Sequence, residues 1–291
     1  MFVQTNTIQA VKAYFKNRLN SQFTESELNL MLKEAIIQRL KISRADYLLC
    51  DEQLLSESDL LFFRSVVKRL LNQEPFQYII GTTEFYGLEL TTDSRALIPR
   101  PETEELVQWI SEEYDISKFI QIADICTGSG CIALALKSHF KNASVLATDF
   151  SQSAIDLANE NAKLVGLEIE TVLLDATTNN PIPGKKENSF DCWVSNPPYI
   201  PYSDQREMAD NVLKYEPHMA LFVENNDPLI FYRKISENAL VYLKSGGKLF
   251  FEIHERFAIE TMAVLEGLGF VNIQLRKDLQ GRDRMLQGQK P

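Results

Sequence analysis

Two stretches of this chain combine residue types and spacing that could do chemistry. One is Ser195-Asn196-Pro197-Pro198-Tyr199-Ile200, after a short apolar run, Phe190–Val194, that reads as a buried strand. Its prolines fix φ and carry no N–H, so the loop is stiff and its carbonyls are free to accept from another group. Such a strand end suits gripping a flat polar group with N–H donors: an amide, or an exocyclic amine awaiting a methyl. Asn-Pro is also an ordinary turn dipeptide, so the tetrapeptide acquires meaning only from what lies upstream.

Upstream stands Asp124-Ile125-Cys126-Thr127-Gly128-Ser129-Gly130. Gly128 and Gly130 allow a sharp turn into a helix and close approach of a ligand. Nineteen residues after Gly130, Asp149 ends a strand, where a carboxylate can accept from both ribose hydroxyls of an adenosine. Asp175, with Ala176 beside it, ends a third strand near where an adenine amine would lie, and Phe150 either flanks the ring or packs in the core as an aromatic at a strand end. Two cofactors fit this cleft. Gly128-x-Gly130-x-x-Ala133 with its acid matches the dinucleotide fingerprint, so NAD is one. S-adenosylmethionine is the other. Asp124, with no cluster of phosphate-binding donors, suits its cationic amino-acid half, and no His-Asp or Tyr-Lys pair offers hydride chemistry.

The elements that must position these residues follow from periodicity. Residues 120–125, 144–148, 169–174, 190–195, 248–253 and 270–275 read as strands, the last of them as the final one. Helices are expected over 131–139, 152–164, 229–243 and 257–268, and a loop over 181–188. Alternation of this kind means an α/β fold with a mostly parallel sheet, whose ligands sit at the carboxyl ends of the strands. Residues 5–75 are helical throughout. Thr24 to Glu27 forms a capping box, Ser56 with Asp59 another N-terminus signal, and Ser43 to Asp46 resembles a third. Residues 76–98, with Phe85-Tyr86-Gly87-Leu88, read as a hairpin linker. Arg100 and Glu102, in Pro99-Arg100-Pro101-Glu102, either line a pocket or simply open a well-capped helix.

Composition excludes several classes. The chain has 291 residues, 45% of them hydrophobic, and no apolar run near membrane-spanning length or signal-peptide pattern. A cytoplasmic protein with reduced thiols is expected from four scattered cysteines, Cys50, Cys126, Cys131 and Cys192. No Cys/His set with zinc spacing occurs, so no metal is expected. The net charge is −10, and up to Pro75 ten Lys and Arg stand against nine Asp and Glu, which leaves twenty against thirty-one beyond it. An acidic second half disfavours a nucleic-acid partner.

The order of motifs is distinctive. Glu74-Pro75-Phe76-Gln77-Tyr78-Ile79-Ile80-Gly81, Phe85-Tyr86-Gly87, Leu97-Ile98-Pro99-Arg100-Pro101-Glu102-Thr103-Glu104, Asp124-x-x-Thr127-Gly128-Ser129-Gly130, Asn196–Tyr199, Glu216-Pro217 and Asp278-x-x-Gly281-x-x-Arg284 follow one another. From about residue 70 onward the chain closely resembles the peptide chain release factor N5-glutamine methyltransferase (PrmC/HemK) family. The resemblance implies a class I methyltransferase, Rossmann-like, with a mostly parallel seven-stranded sheet, an N-terminal helical bundle (1–75) that docks substrate, a hairpin linker (76–98) and a catalytic domain (99–291). It implies S-adenosylmethionine as cofactor, S-adenosylhomocysteine as product, and the glutamine of the Gly-Gly-Gln motif in class I release factors as substrate. The resemblance implies Asn196, Pro197, Pro198 and Tyr199 as the catalytic, amide-holding residues and Thr127, Gly128, Ser129, Gly130 and Asp149 as cofactor residues. The reading of the residues themselves adds Asp124, Cys126, Phe150, Asp175, Ala176 and Asn196 on the cofactor side, with Arg100 and Glu102 as candidates for holding substrate. A monomer is expected. Two positions depart from the family: Cys126 stands where glycine is usual, and Glu255 follows His254 where glycine is frequent. A base-directed amino-methyltransferase, an NAD(P)-dependent oxidoreductase and a non-catalytic adaptor are the competing readings.

Overall fold

Capping residues and apolar spacing account for the first of two compact units in the computed structural model, Met1–Gly81 together with Ala209–Tyr215. The structure describes residues 3, 5–178 and 182–291. Helix α1 (Ile8–Leu19) starts at Thr7, whose side chain accepts from the Ala10 amide. Helices α2 (Glu25–Leu40) and α3 (Glu57–Leu71) each open on a reciprocal capping box, Thr24 with Glu27 and Ser56 with Asp59. Their apolar faces, including Leu28, Leu32, Ile36, Phe63, Val67 and Leu70, meet Ile8, Val11 and Phe15 in one core. Ser43 and Asp46 do pair as a cap, but only a single 3-10 turn, Asp46–Leu49, follows. Helix α4 (Phe76–Ile80) closes the N-terminal run, and α8 (Asp210–Tyr215) joins this unit from later in the chain, where the Tyr215 hydroxyl donates to the Asn72 carbonyl (2.9 Å).

The second unit, Thr82–Met208 with Glu216–Pro291, carries the sheet. It begins with the hairpin β1 (Thr82–Phe85) and β2 (Leu88–Thr91). Tyr86 and Gly87 both adopt positive φ (48° and 76°), the two-residue turn that matches strand twist. Helix α5 (Pro101–Glu113) follows, then β3 (Gln121–Ile125), α6 (Cys131–His139), β4 (Ser144–Asp149), α7 (Gln152–Val165), β5 (Glu170–Leu173) and β6 (Phe190–Ser195). Two short strands, β7 (Ile200–Pro201) and β8 (Phe222–Val223), pair with each other, and α9 (Ile230–Tyr242), β9 (Leu243–Glu252), α10 (Ala258–Gly267), β10 (Val271–Lys277) and β11 (Asp283–Gln289) complete the unit. The main sheet has seven strands in the order β10-β11-β9-β6-β3-β4-β5. Strands β5, β4, β3, β6 and β9 run parallel, and β11 runs antiparallel to both its neighbours.

Besides the Ser43 cap, the sequence reading differs from this at residues 76–80, expected within the hairpin linker but folded as helix α4 of the first unit, and at two strands. Strand β9 begins at Leu243 and runs through Gly246 and Gly247 rather than starting after them. The strand read as final, β10, is followed by β11, inserted between β9 and β10. Its sequence, Asp-Arg-Met-Leu-Gln-Gly-Gln, is mostly polar and does not alternate, yet Met285, Leu286 and Gln287 are buried because both faces of the strand are covered, Met285 in one core cluster and Leu286 in another. Pro181, at the expected start of a loop, lies outside the described residues. No helix of the described residues is long and apolar enough to cross a membrane.

Chain order reverses direction between β3 and β6: β4 and β5 lie on one side of β3, β6 and β9 on the other. The crevice at the carboxyl ends of those two strands is where such sheets bind ligands. The Ser195 hydroxyl at the end of β6 donates to the Ile125 carbonyl at the end of β3 (2.6 Å), tying the two loop origins together.

Candidate active site

A cleft with a volume of about 370 Å³ opens at that switch point. On one side the loop after β3 folds round Asp124, a fully buried carboxylate. Its Oδ2 accepts from the Thr127 hydroxyl (2.5 Å) and the Ala133 amide (3.2 Å), while Oδ1 has no partner. Burial pushes this acid up to about 7. Gly130 takes φ +80°, and a Cβ there would stand 3.1 Å from the Ala158 Cβ, so only glycine starts α6 in this way. Cys126 adopts φ +62°, the left-handed conformation that a glycine would take without strain. The side chain of the buried Asn161 on α7 braces the loop, donating to the Ser129 carbonyl (3.0 Å) and the Thr91 carbonyl (3.0 Å) while accepting from the Thr91 amide (2.7 Å).

Asp149 at the end of β4 accepts from the Gly128 amide (2.9 Å) on one oxygen and the Ser151 amide (2.9 Å) on the other. Each oxygen keeps a lone pair, and burial raises this acid above its ordinary value. Asp175 uses one oxygen for the Thr177 amide and hydroxyl, and Ala176 is buried beside it. Phe150 stands at the rim, 63% exposed. Only two cations line the cleft among the described residues, and both are engaged. Arg95 pairs with Asp93 and Glu160, and Arg100 with the buried Glu216 (2.5 Å). A pyrophosphate would find no free cation here. A nucleoside with a cationic tail finds a diol acceptor, a wall of small and apolar residues, and a glycine loop, so the donor set fits S-adenosylmethionine better than NAD.

The opposite side is formed by the loop after β6. Asn196 and Pro198 line the cleft, and Pro197 is buried behind them. The Asn196 amide nitrogen donates to the Thr103 hydroxyl (3.3 Å), which donates to Glu252 (2.6 Å). The Tyr199 hydroxyl donates to the other oxygen of Glu252 (3.2 Å).

Of the residues singled out from the sequence, Cys126, Thr127, Gly128, Ser129, Asp149, Phe150, Asp175, Ala176, Asn196, Pro198 and Arg100 line this one cleft. Asp124, Gly130, Pro197 and Tyr199 lie behind its wall. Glu102 sits in the first turn of α5 and accepts from the Gln280 side chain (2.9 Å). Asn161 and Glu252 carry no role in the sequence reading, and Thr103 and Glu216 enter it only as members of motifs. Glu216 accepts from the Ile98 amide (3.2 Å) as well as Arg100, fixing the segment round Pro99. The signal for Glu252 was a carboxylate closing the apolar run Leu249-Phe250-Phe251, and for Asn161 an amide on the small-residue face of α7.

Comparison with known proteins adds independent findings. Residues 102–218 match the methyltransferase small domain family, and residues 13–81 the PrmC N-terminal domain family. A release factor glutamine methyltransferase of Flavobacterium psychrophilum is 41% identical over 282 residues, 96% of this chain and 98% of the relative. One of Bacteroides thetaiotaomicron is 34% identical over 276 residues, 95% and 98% of the respective chains. Among solved structures, a human methyltransferase 10 domain containing protein superposes with a TM-score of 0.51 at 18% identity, covering 70% of this chain and 90% of that one. A T. thermophilus 16S rRNA N2 G1207 methyltransferase, in complex with AdoMet and guanosine, gives 0.51 at 16% identity, covering 72% and 50%. These two likenesses concern the fold.

Proposed function

The chain belongs to the release factor glutamine methyltransferase family, and on that premise we propose how its cleft methylates the glutamine amide of the Gly-Gly-Gln motif in a class I release factor. The observation that carries the proposal is a single cleft lined by Gly128 and Asp149 on one wall and Asn196 and Pro198 on the other. S-adenosylmethionine supplies an electrophilic methyl group on its sulfonium. Asp149 holds the ribose diol, Gly128 and its neighbours pass close to the amino-acid portion, and Phe150 with Asp175 and Ala176 frames the adenine. Asp124 does not reach the ligand: it shapes the loop that does.

An amide nitrogen is a poor nucleophile because its lone pair is delocalised into the carbonyl. The Asn196 Oδ1 and the Pro197 carbonyl accept the two amide protons, which turns the nitrogen toward the methyl and favours positive charge developing there. Tyr199, behind this wall, keeps the loop in place through Glu252. Held by these residues, S-adenosylmethionine would supply the methyl, its C–S bond giving way to the new N–C bond, and the amide proton would leave afterwards to water. In-line positioning can contribute on the order of 7 kcal/mol of the barrier, so no strong base is required. The helical unit docks the release factor, and Arg100 and Glu102 contribute to holding the substrate. A monomeric, cytoplasmic enzyme is part of this reading.

The test is mass spectrometry of a release factor incubated with the protein and isotope-labelled S-adenosylmethionine. One added methyl on the Gly-Gly-Gln glutamine is the expected result. Label on RNA or DNA, or none on the glutamine, overturns the proposal.

A further inference from the structure

The substrate-side wall contains a question of polarity. Asn196 can present either its oxygen or its NH2 group to the cleft, and only the oxygen accepts an amide proton. Thr103 decides which. Its hydroxyl has one proton, and that proton goes to Glu252 (2.6 Å). The oxygen of Thr103 is left able only to accept, so the Asn196 NH2 must turn toward it (3.3 Å) and Oδ1 must face away, where no described residue donates to it. Glu252 can play this part because both hydrogen bonds to its carboxylate are from hydroxyls, Thr103 on one oxygen and Tyr199 on the other. Tyr199 stays protonated, because burial and the neighbouring Glu252 push its phenol up. Arg284, held by the buried Asp278 (3.2 Å), supplies compensating positive charge nearby.

We infer that Glu252 and Thr103 are positioning residues for methyl transfer: the Glu252 carboxylate acts through the Thr103 hydroxyl to set which end of the Asn196 amide meets the substrate. This rests on the amide-gripping role proposed above for Asn196. Neither residue touches the substrate.

The relay has a pH signature. Burial raises Glu252, opposed by the Thr103 bond and by Arg284. The groups facing it are Glu102 from α5, Cys131 from α6, Tyr199 from the β6 loop, Tyr232 from α9, and Arg284 from β11, with Asp278 behind it from the loop between β10 and β11. Protonation turns the acceptor into a donor and lets Thr103 donate to Asn196 instead. Turnover at saturating cofactor and release factor is therefore full above the raised value and falls as pH falls through it.

The experiment measures kcat and KM for methylation of a class I release factor, with S-adenosylmethionine affinity by calorimetry and thermal unfolding as controls. In Glu252→Gln the new amide accepts from Tyr199 and donates to Thr103, which then donates to the Asn196 oxygen and turns the NH2 toward the substrate. The expected loss in kcat is on the order of a hundred-fold, with cofactor affinity unchanged and the acid limb gone. Thr103→Val only frees Asn196 to rotate, and the expected loss is about ten-fold, while Thr103→Ser retains turnover within about three-fold. The double variant Thr103→Val/Glu252→Gln is expected to recover to the level of Thr103→Val, above Glu252→Gln alone, because the reversed donor has been removed. A double variant no more active than Glu252→Gln overturns the inference, as does near-normal kcat in Glu252→Gln. Should Glu252→Gln not fold, the contrast of Thr103→Val with Thr103→Ser decides, and equal turnover in those two overturns it. Asn196→Ala separates the premises: its collapse beside an unaffected Glu252→Gln removes only this inference, whereas near-normal Asn196→Ala removes the amide-gripping role itself.

Discussion

On the side of the cleft assigned to the cofactor, Gly128, Asp149 and Asp175 sit at the ends of neighbouring parallel strands, and the binding groups are backbone turns and carboxylates held by local amides. On the side assigned to the amide, Asn196 is held by Thr103 and Glu252, residues 93 and 149 positions apart along the chain from their partners. The first wall is made by strand register, the second by side chains that only the finished fold brings together. Register tolerates changes that leave the strands in place. A chain of three hydrogen-bonded side chains tolerates none that reverses a donor.

Mutations can break or sharpen that contrast. The largest effect is expected from Asn196→Ala, with kcat down on the order of a hundred- to a thousand-fold and calorimetric affinity for S-adenosylmethionine intact. A parallel fall in affinity would mean the two walls are not separable. Asp149→Ala is expected to do the reverse, weakening cofactor binding by ~2–3 kcal/mol through lost charge-assisted hydrogen bonds while the KM for release factor holds. Gly130→Ala forces φ +80° on an L-residue and crowds Ala158, so denaturant unfolding should show a loss of ~1–3 kcal/mol.

The fourth expectation concerns pH. The Asp124 carboxyl ordinarily titrates at 3.8 and in the folded chain at about 7, so its contribution favours the protonated folded state. That stability is complete below the ordinary value and is lost as pH rises through the folded one. Thermal unfolding of the cofactor-free protein should weaken over this range, and Asp124→Asn should flatten the slope. An identical slope in the variant would assign it to other groups. The smallest effect is expected from Cys126→Gly. Relief of the strained φ is offset by greater freedom of the unfolded chain, for a net change within ~1 kcal/mol and little change in cofactor affinity. A larger loss would show that thiol packing outweighs the strain.

The contrast also explains which residues are legible in the sequence. The parallel strands announce themselves as apolar runs ending in Asp or Asn, and loops at strand ends are where such sheets bind, so periodicity alone singles out Gly128, Asp149 and Asn196. Strand β11 gives no such signal, because its burial comes from its interior place in the sheet with both faces covered, not from its polar composition. Glu252 is equally silent, since a single carboxylate at the end of Phe250-Phe251 does not reveal which hydroxyl it will meet. Glu216 reads as loop until its partners, the Ile98 amide and Arg100, are known. Local patterning writes the cofactor wall into the sequence. The amide wall is tertiary.

The span of the Thr103–Glu252 hydrogen bond also has a consequence in time. Strands β3, β4 and β5 with α6 and α7 occupy residues 121–173, a continuous stretch whose contacts are short in sequence and can form early, including while synthesis continues. Asn196 cannot be locked until β9 has been made and paired beside β6, and Arg284 reaches Glu252 only when β11 has slotted between β9 and β10. In chain order the amide-holding wall is therefore the last part of the cleft to be completed, because its hydrogen bonds join positions as far apart as 103 and 252.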